Sequence, residues 1–167
     1  MGVRDRIAQW STRARDERLA RLAATPSELA AQLTGASPAL LALRPAPAAW
    51  APVEVVCHLR DLEESFHERL GLILASDEPC FPTTNPNRWA AERQYLRSDA
   101  HAAAQAFARR RAQTLALLHG IRPGDWARAG RQLDSRGRRT LDDFLTLIAW
   151  HDENHLAQLA RALQGRE

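Results

Sequence analysis

The stretch LDDFLTLIAWHDENHLAQLARAL, residues 141–163, constrains the fold more than any other part of the sequence. Its apolar residues and two of its histidines recur every three or four positions, which places them on one face of an α-helix. These residues are Leu141, Phe144, Ile148, His151, His155 and Leu159. A capping signature at Thr140–Asp143 precedes the stretch and Gly165 follows it. We therefore predict a long, core-facing helix that ends near Leu163.

A third histidine lies on a second helical stripe. Proline at position 52 suits the first turn of a helix, and apolar residues then recur at helical spacing as far as about Leu74. His58 shares a face with Val55, Leu62 and Phe66, so it is predicted to point inward. By contrast, His67 lies nine residues further on, about 180° around the helix, and is expected at a flank or in solvent.

The remaining segments also favour helix over sheet, because alanine occurs 31 times and valine and isoleucine are scarce. We predict further helices at about 3–24, 26–33, 85–95 and 99–120, with a break at Thr25-Pro26. The stretches 79–86 and 123–139 are expected to be irregular. The predicted fold class is all-α, a four-helix bundle (residues 25–167) preceded by a helical extension (residues 1–24).

Composition excludes several function classes. The N-terminus has charged residues at positions 4–6 instead of a signal peptide, and there is no apolar run long enough to span a bilayer, so we expect a cytoplasmic protein without membrane contact. Cys57 and Cys80 are too few for a disulfide framework. All 23 basic residues are arginines, but the net charge is only +3 and the arginines alternate with acids. We therefore expect no nucleic-acid partner.

Three inward-facing imidazoles need polar partners in a core. A shared divalent metal would satisfy His58, His151 and His155 at once, because imidazoles four residues apart on one helix can converge on one ion. A hydrogen-bonded network with water is the alternative. A zinc-protease motif is rejected, since Glu153 lies two residues after His151 instead of directly after it, and the residue in that slot is the shorter Asp152.

Two runs resemble a known family: WAPVEVVCHLRDLE at residues 50–63 and HDENHLAQLA at residues 151–160. Both are similar to the histidine motifs of the DinB-like superfamily, and the chain order between them agrees. The resemblance covers about Pro26 to Leu163. Ala51 departs from it, since a small polar cap is usual there, and so does the added N-terminal helix.

The resemblance implies an up-down-down-up bundle with one divalent transition metal, zinc or nickel, on His58, His151 and His155. It also implies open coordination positions, which suit catalysis. The expected function is a metal-dependent enzyme acting on a small molecule, either a thiol-dependent S-transferase using a low-molecular-weight thiol or a hydrolase. The alternative is a non-catalytic metal-binding stress-response protein, and a homodimer is possible in either case.

Several other side chains are candidates for the site. Asp61 lies three residues beyond His58 and is the candidate catalytic residue, as a base or as an acceptor beside the metal; a solvated or salt-bridged carboxylate is the alternative. Cys57 is interpreted as a packing residue. The candidates for a pocket mouth and for binding an acidic group are Trp89, Tyr95, Trp126, Arg128, Arg136, Arg138 and Arg139; simple packing or a solvated loop would also explain them.

Overall fold

The computed structural model describes residues 2–133 and 137–166. Its helices are α1 (Val3–Ser11), α2 (Arg15–Leu33), α3 (Pro38–Leu41), α4 (Pro52–Ala75), α5 (Pro86–Glu92), α6 (Ala100–His119) and α7 (Leu141–Leu163). The strands are β1 (Cys80–Phe81), β2 (Ala129–Gln132) and β3 (Arg138–Thr140), and 3-10 turns occupy Tyr95–Arg97 and Pro123–Ala127. The predicted mainly helical fold is therefore confirmed.

Four of these helices form a bundle in which α2 and α4 each pack mainly against α6 and α7. Two helices are parallel when the residue numbers of their contacting pairs increase together. This holds for α4 and α6, which are joined by Glu64–Arg110 and His67–Thr114. It also holds for α2 and α7, which are joined by Arg18–Asp142 and Thr25–Asp152. The residue numbers run in opposite order between α4 and α7, where His58 meets His155 and Phe66 meets His151. The order is therefore up-down-down-up.

The predicted helix break at Thr25-Pro26 is wrong, because α2 continues through Pro26. Proline has no N–H to donate to the carbonyl four residues earlier, which would leave the Leu22 carbonyl without its helical partner. The buried guanidinium of Arg111 takes that place and donates to the Leu22 oxygen at 3.0 Å. The actual interruption separates α1 from α2 at residues 12–14, so the proposed division between residues 24 and 25 lies inside a continuous helix.

Helix α1 packs on the outside of α7. Its anchor is Trp10, which is buried and donates its indole N–H to the carboxylate of Glu153 at 2.8 Å. The predicted first helix is therefore present but ends at Ser11 instead of near Ala24. It covers the solvent side of α7, the side away from the predicted histidine stripe.

A small three-stranded sheet occupies segments predicted to be irregular. Strand β1 pairs in parallel with β2, and β2 pairs antiparallel with β3. Gly130 permits this packing, since a Cβ there would lie 2.3 Å from Cε2 of Phe81. The strands are only two to four residues long, too short for a period-two pattern to be visible in the sequence.

The start of α4 is well formed despite the alanine at its cap. The Glu54 carboxylate accepts the Ala51 backbone N–H at 2.9 Å, and Arg44 holds that carboxylate from the other side. The side chain of Glu54, in the first turn of the helix, thus accepts a backbone N–H at the helix start, where a polar capping residue is missing. Among the described residues, no helix is long and apolar enough to cross a membrane.

Candidate metal centre

The three predicted histidines meet between α4 and α7. The Nε2 atom of His58 lies 3.0 Å from Nε2 of His151 and 3.1 Å from Nε2 of His155. His58 and His151 are buried and His155 is partly buried. In the described part of the chain, these residues are the group of histidine, cysteine and acidic side chains whose ligand atoms cluster closely enough to share an ion.

The spacing of these nitrogens suits one cation. Two imidazole nitrogens bound at 2.0–2.1 Å lie about 2.9 Å apart at a right angle and about 3.3 Å apart at a tetrahedral angle. The observed separations of 3.0 and 3.1 Å fall in this interval. A set of three neutral imidazole nitrogens, one from each ring, suits zinc, nickel and related divalent ions.

A hydrogen bond outside the cluster determines which nitrogen of His155 can bind a metal. The Nδ1 atom of His155 lies 2.7 Å from Oε1 of Gln158 and donates a hydrogen bond to it. The Nε2 atom of the neutral ring therefore carries a lone pair directed at the other histidines. Hydrogen bonds between the rings would satisfy these nitrogens poorly, since a single N–H of His58 would have to be shared between Nε2 of His151 and Nε2 of His155. A bound cation satisfies all three lone pairs together.

Aromatic rings hold the other two imidazoles in place. Trp50 packs edge-on against His58 with ring centroids 4.9 Å apart, and Phe66 packs against His151 at 5.7 Å. The Nδ1 atom of His58 is buried and has no hydrogen-bond partner among the described residues. Packing, instead of a hydrogen bond, therefore orients the His58 ring.

All three imidazoles are held in the neutral form that binds metals. Burial lowers the pKa of His58 to about 3, with a further contribution from His155. Burial, followed by the neighbouring histidines, lowers the pKa of His151 well below its ordinary value, and burial lowers that of His155. Crowding three basic rings in a dry core disfavours each added proton, so a cation there meets little competition from protons near neutral pH.

A buried ion-pair network lies directly behind His151. Arg111 donates to Asp152 at 2.5 and 3.1 Å and to Glu63 at 2.7 Å, and all three side chains are almost fully buried. Thr25 adds a hydrogen bond to Asp152 at 2.7 Å. This network ties α2, α4 and α6 to the α7 residue that follows a metal-ligand candidate.

The same contacts agree with the rejection of a protease motif. Asp152 occupies the slot of the catalytic glutamate, but its carboxylate is engaged by Arg111 and Thr25. Glu153 faces α1, where it accepts the indole N–H of Trp10. Neither carboxylate belongs to the cluster around the three imidazoles.

Asp61 is held in a network of its own. Its carboxylate accepts hydrogen bonds from Tyr95 at 2.6 Å, from Arg93 at 2.5 Å and from Arg60 at 2.7 Å. Although burial acts to raise it, the pKa of Asp61 is lowered, because the hydrogen bonds from these three donors favour the carboxylate. A carboxylate so stabilised is a weak base. Its catalytic role stays a prediction, and the salt-bridged alternative describes its contacts.

The other aromatic candidates serve different purposes. Tyr95 is fully buried on Asp61, and Trp126 is buried in the core beneath the guanidinium of Arg15. Trp89 is partly buried and lines an outer cavity. Cys57 is buried, as its interpretation as a packing residue requires, and burial raises the pKa of its thiol.

The predicted arginine cluster is dispersed. Arg128 donates to the Ser76 carbonyl and Arg138 pairs with Glu78. Arg136 lies outside the described residues. Arg139, on β3, lines a cavity of about 170 Å³ that reaches His151. Only this last arginine of the described candidates is placed beside the histidine cluster.

Some site residues had no signal in the sequence that we could interpret. Arg69 and Gln132 line the cavity at His151, but Gln132 belongs to a strand that the sequence did not reveal. Arg111 and Glu63 each look like an ordinary charged residue of an amphipathic helix. Their shared burial depends on a facing aspartate from a distant helix, which local periodicity does not report.

The chain is similar to a solved structure, YfiT from Bacillus subtilis, described as a probable metal-dependent hydrolase with an unusual four-helix bundle topology. The TM-score is 0.84 at 20% sequence identity, over 90% of this chain and 86% of YfiT. A search of curated proteins found no match. The family model of the DinB superfamily matches residues 21–159, and the chain therefore belongs to the DinB superfamily.

Proposed function

We propose that this protein is a metal-dependent enzyme that uses one divalent transition metal, zinc or nickel, to activate a small nucleophile against a small-molecule substrate. The nucleophile is either a low-molecular-weight thiol, which makes the protein an S-transferase, or water, which makes it a hydrolase. The convergence of three neutral imidazole Nε2 atoms carries the proposal. YfiT, described as a probable metal-dependent hydrolase, supports the version with water.

The ligand set favours a catalytic metal over a structural one. Structural zinc sites have four protein ligands, whereas three leave positions for exogenous groups. A divalent ion bound there would lower the pKa of water or of a thiol enough to supply a nucleophile at neutral pH. The cavity that His151 lines would give a small molecule access to one side of the cluster.

The chain's own residues provide orientation and exclude water. Trp50 and Phe66 pack against two of the imidazoles, and Gln158 fixes the proton of the third on Nδ1. Arg111 and Asp152 hold the backbone of α7 against α6 just behind His151. These contacts hold the three donor atoms in place before any metal arrives, which lowers the ordering cost of binding.

The test compares wild type with His151→Ala, each supplied with one equivalent of zinc or nickel. Hydrolysis is followed with p-nitrophenyl acetate, and thiol transfer with 1-chloro-2,4-dinitrobenzene in the presence of cysteine or glutathione. His101→Ala is the matched control, since His101 is an exposed histidine on α6. Activity in wild type and in the control, lost in His151→Ala, supports the proposal.

Two outcomes would contradict it. Equal activity in wild type and His151→Ala would place the chemistry elsewhere on the molecule. Stoichiometric metal with no turnover of either substrate class, over a panel of esters and electrophiles, would favour the non-catalytic metal-binding protein.

A further inference from the structure

A small cavity lies between α4, α7 and the three-stranded sheet, with His151 in its wall. Its volume is about 170 Å³. One side is apolar, formed by Leu62, Phe66 and Leu147. Since a cavity of about 150 Å³ can hold benzene, this space is large enough for one small ring. We call it the His151 cavity.

Gln132 carries a polar atom in this wall that lacks a partner. The residue is 6% exposed, and its Oε1 atom is buried without a hydrogen-bond partner among the described residues. A buried acceptor in this state costs free energy, which a donor that reaches it would recover. An amide oxygen accepts hydrogen bonds and cannot be satisfied by another acceptor. The group that Gln132 lacks is therefore an N–H or O–H donor.

The small sheet holds the backbone of Gln132 in place. Its N–H donates to the Gly137 carbonyl at 3.0 Å, and on the other side it is paired with Phe81 of β1, which is 1% exposed. The side-chain amide can still turn about its last bond, because such terminal torsions have broad minima. The amide also carries an N–H₂ group beside its oxygen, so it can accept one hydrogen bond and donate another in the same plane.

The charges around the cavity favour an uncharged ligand. Arg69 and Arg139 line it, but both already interact with other groups of the protein, and Arg69 donates to the Pro82 carbonyl at 3.3 Å. A carboxylate would bring only acceptors and would oppose Oε1 of Gln132. Among the described residues that line the cavity none is acidic, so an ammonium group would be buried without a counter-charge, which is costly.

We propose that the His151 cavity is the substrate pocket and that it selects small, uncharged, largely apolar molecules that carry a primary carboxamide. The carboxamide N–H donates to Oε1 of Gln132, and its carbonyl accepts from the N–H₂ group of Gln132, so that the two amides form a pair. This pairing stays complementary whichever way the Gln132 amide is turned. The apolar body packs on Leu62, Phe66 and Leu147, beside His151. The assignment rests on the proposed function for any reaction at the metal, but the binding itself depends on Gln132.

The binding test compares benzamide with acetophenone, in which a methyl group replaces the N–H₂ group and the carbonyl is kept. Each is titrated by calorimetry into metal-free and zinc-loaded protein. We expect benzamide to bind about tenfold more tightly in both forms, because only benzamide supplies a donor to Gln132. Benzoate, titrated into the metal-free protein, is expected to bind more weakly than benzamide, since it has no donor for Oε1.

Three variants locate the carboxamide. Gln132→Met keeps the length of the side chain but removes its amide, and it is expected to weaken benzamide about tenfold and to leave acetophenone unchanged. The fold should persist, because an unpaired buried acceptor is replaced by an apolar group, and circular dichroism checks this. Gln105→Met, at an exposed position of α6, is the matched control. Leu147→Trp fills the cavity and is expected to abolish the binding of both probes.

Several results would overturn the proposal. Equal affinities for benzamide and acetophenone in wild type, or an unchanged preference in Gln132→Met, would show that Gln132 does not select the ligand. A preference seen only with zinc would assign it to the ion, and tighter binding of benzoate than of benzamide would show that the pocket prefers an anion. Unchanged binding in Leu147→Trp would place the site elsewhere. Metal content, measured separately, distinguishes the two proposals: a benzamide preference in a protein that takes up no metal would refute the proposed function alone.

Discussion

Arg111 donates two hydrogen bonds to Asp152, at 2.5 and 3.1 Å, in a position where both side chains are 1% exposed. Asp152 directly follows His151, so this ion pair sets the position of a metal-ligand candidate. It also explains the continuity of α2, since the same guanidinium donates to the Leu22 carbonyl that Pro26 leaves without a helical partner. A single buried arginine thus connects the framework of the bundle to the histidine cluster.

Removing Arg111 should strongly destabilise the protein. Arg111→Ala leaves the carboxylates of Asp152 and Glu63 buried without their cation, which typically costs about 3–5 kcal/mol in the free energy of unfolding. Urea denaturation of the metal-free protein measures it. Arg110→Ala is the matched control: the Arg110–Glu64 pair is much more exposed, at 31% and 46%, and its loss should cost at most about 1 kcal/mol. Similar losses for the two variants would contradict this account of Arg111.

Gln158 is expected to increase the affinity of the three-histidine site for a metal ion, although it is not itself a ligand. Gln158→Leu removes the acceptor of the His155 Nδ1 proton, so the ring loses its orientation and its preferred tautomer. Loss of such a partner typically weakens metal binding about 10–100-fold. Competition with a chromogenic chelator measures the affinity for zinc. Gln105→Leu, at an exposed position of α6, controls for the substitution itself, and an unchanged affinity in Gln158→Leu would contradict the assignment.

The metal-free protein should lose stability on mild acidification. Burial lowers the pKa of His58 to about 3 in the folded state, against 6.5 for the unfolded reference. The unfolded chain therefore binds the proton more tightly. The stability that neutral His58 contributes to the folded state is fully present above pH 6.5 and declines as the pH falls towards 3. Between pH 7 and pH 5, His58 alone should account for about 2 kcal/mol of the loss.

Urea denaturation at several pH values, with excess chelator present, measures this effect. In His58→Gln the free energy of unfolding should depend less steeply on pH than in wild type over the same range. Parallel curves for the two proteins would mean that His58 is solvated or already protonated in the fold.

Two glycine substitutions should change stability in opposite directions. A Cβ at position 130 would lie 2.3 Å from the Phe81 ring, so Gly130→Ala should destabilise the sheet by about 1–3 kcal/mol. At Gly71, inside α4, a Cβ meets nothing within 4 Å, and Gly71→Ala should stabilise the protein by about 0.5–1 kcal/mol. Thermal melting checks both, and a stabilising Gly130→Ala would show that the sheet packs differently.

The bundle and the histidine cluster could be predicted because their signals are periodic. His151 and His155 repeat on the apolar stripe of α7, and His58 lies on that of α4. The break predicted at Thr25-Pro26 was wrong because a proline signal is local, whereas the donor that replaces the missing N–H of Pro26 comes from α6. The strands were missed since they are short and owe their pairing to the approach of Phe81 to Gly130. Arg69, Gln132 and Arg139 share no motif, and only the folded chain brings them together around one cavity.

Metal content tests the central claim most directly. Untagged protein, purified without chelator and exposed to equimolar zinc and nickel, is desalted and examined by elemental analysis beside a His58→Ala/His155→Ala variant. We expect about one transition-metal ion per chain in wild type and none in the variant. A metal-free wild type, or an equal metal content in the variant, would show that the three imidazoles do not bind a metal ion together.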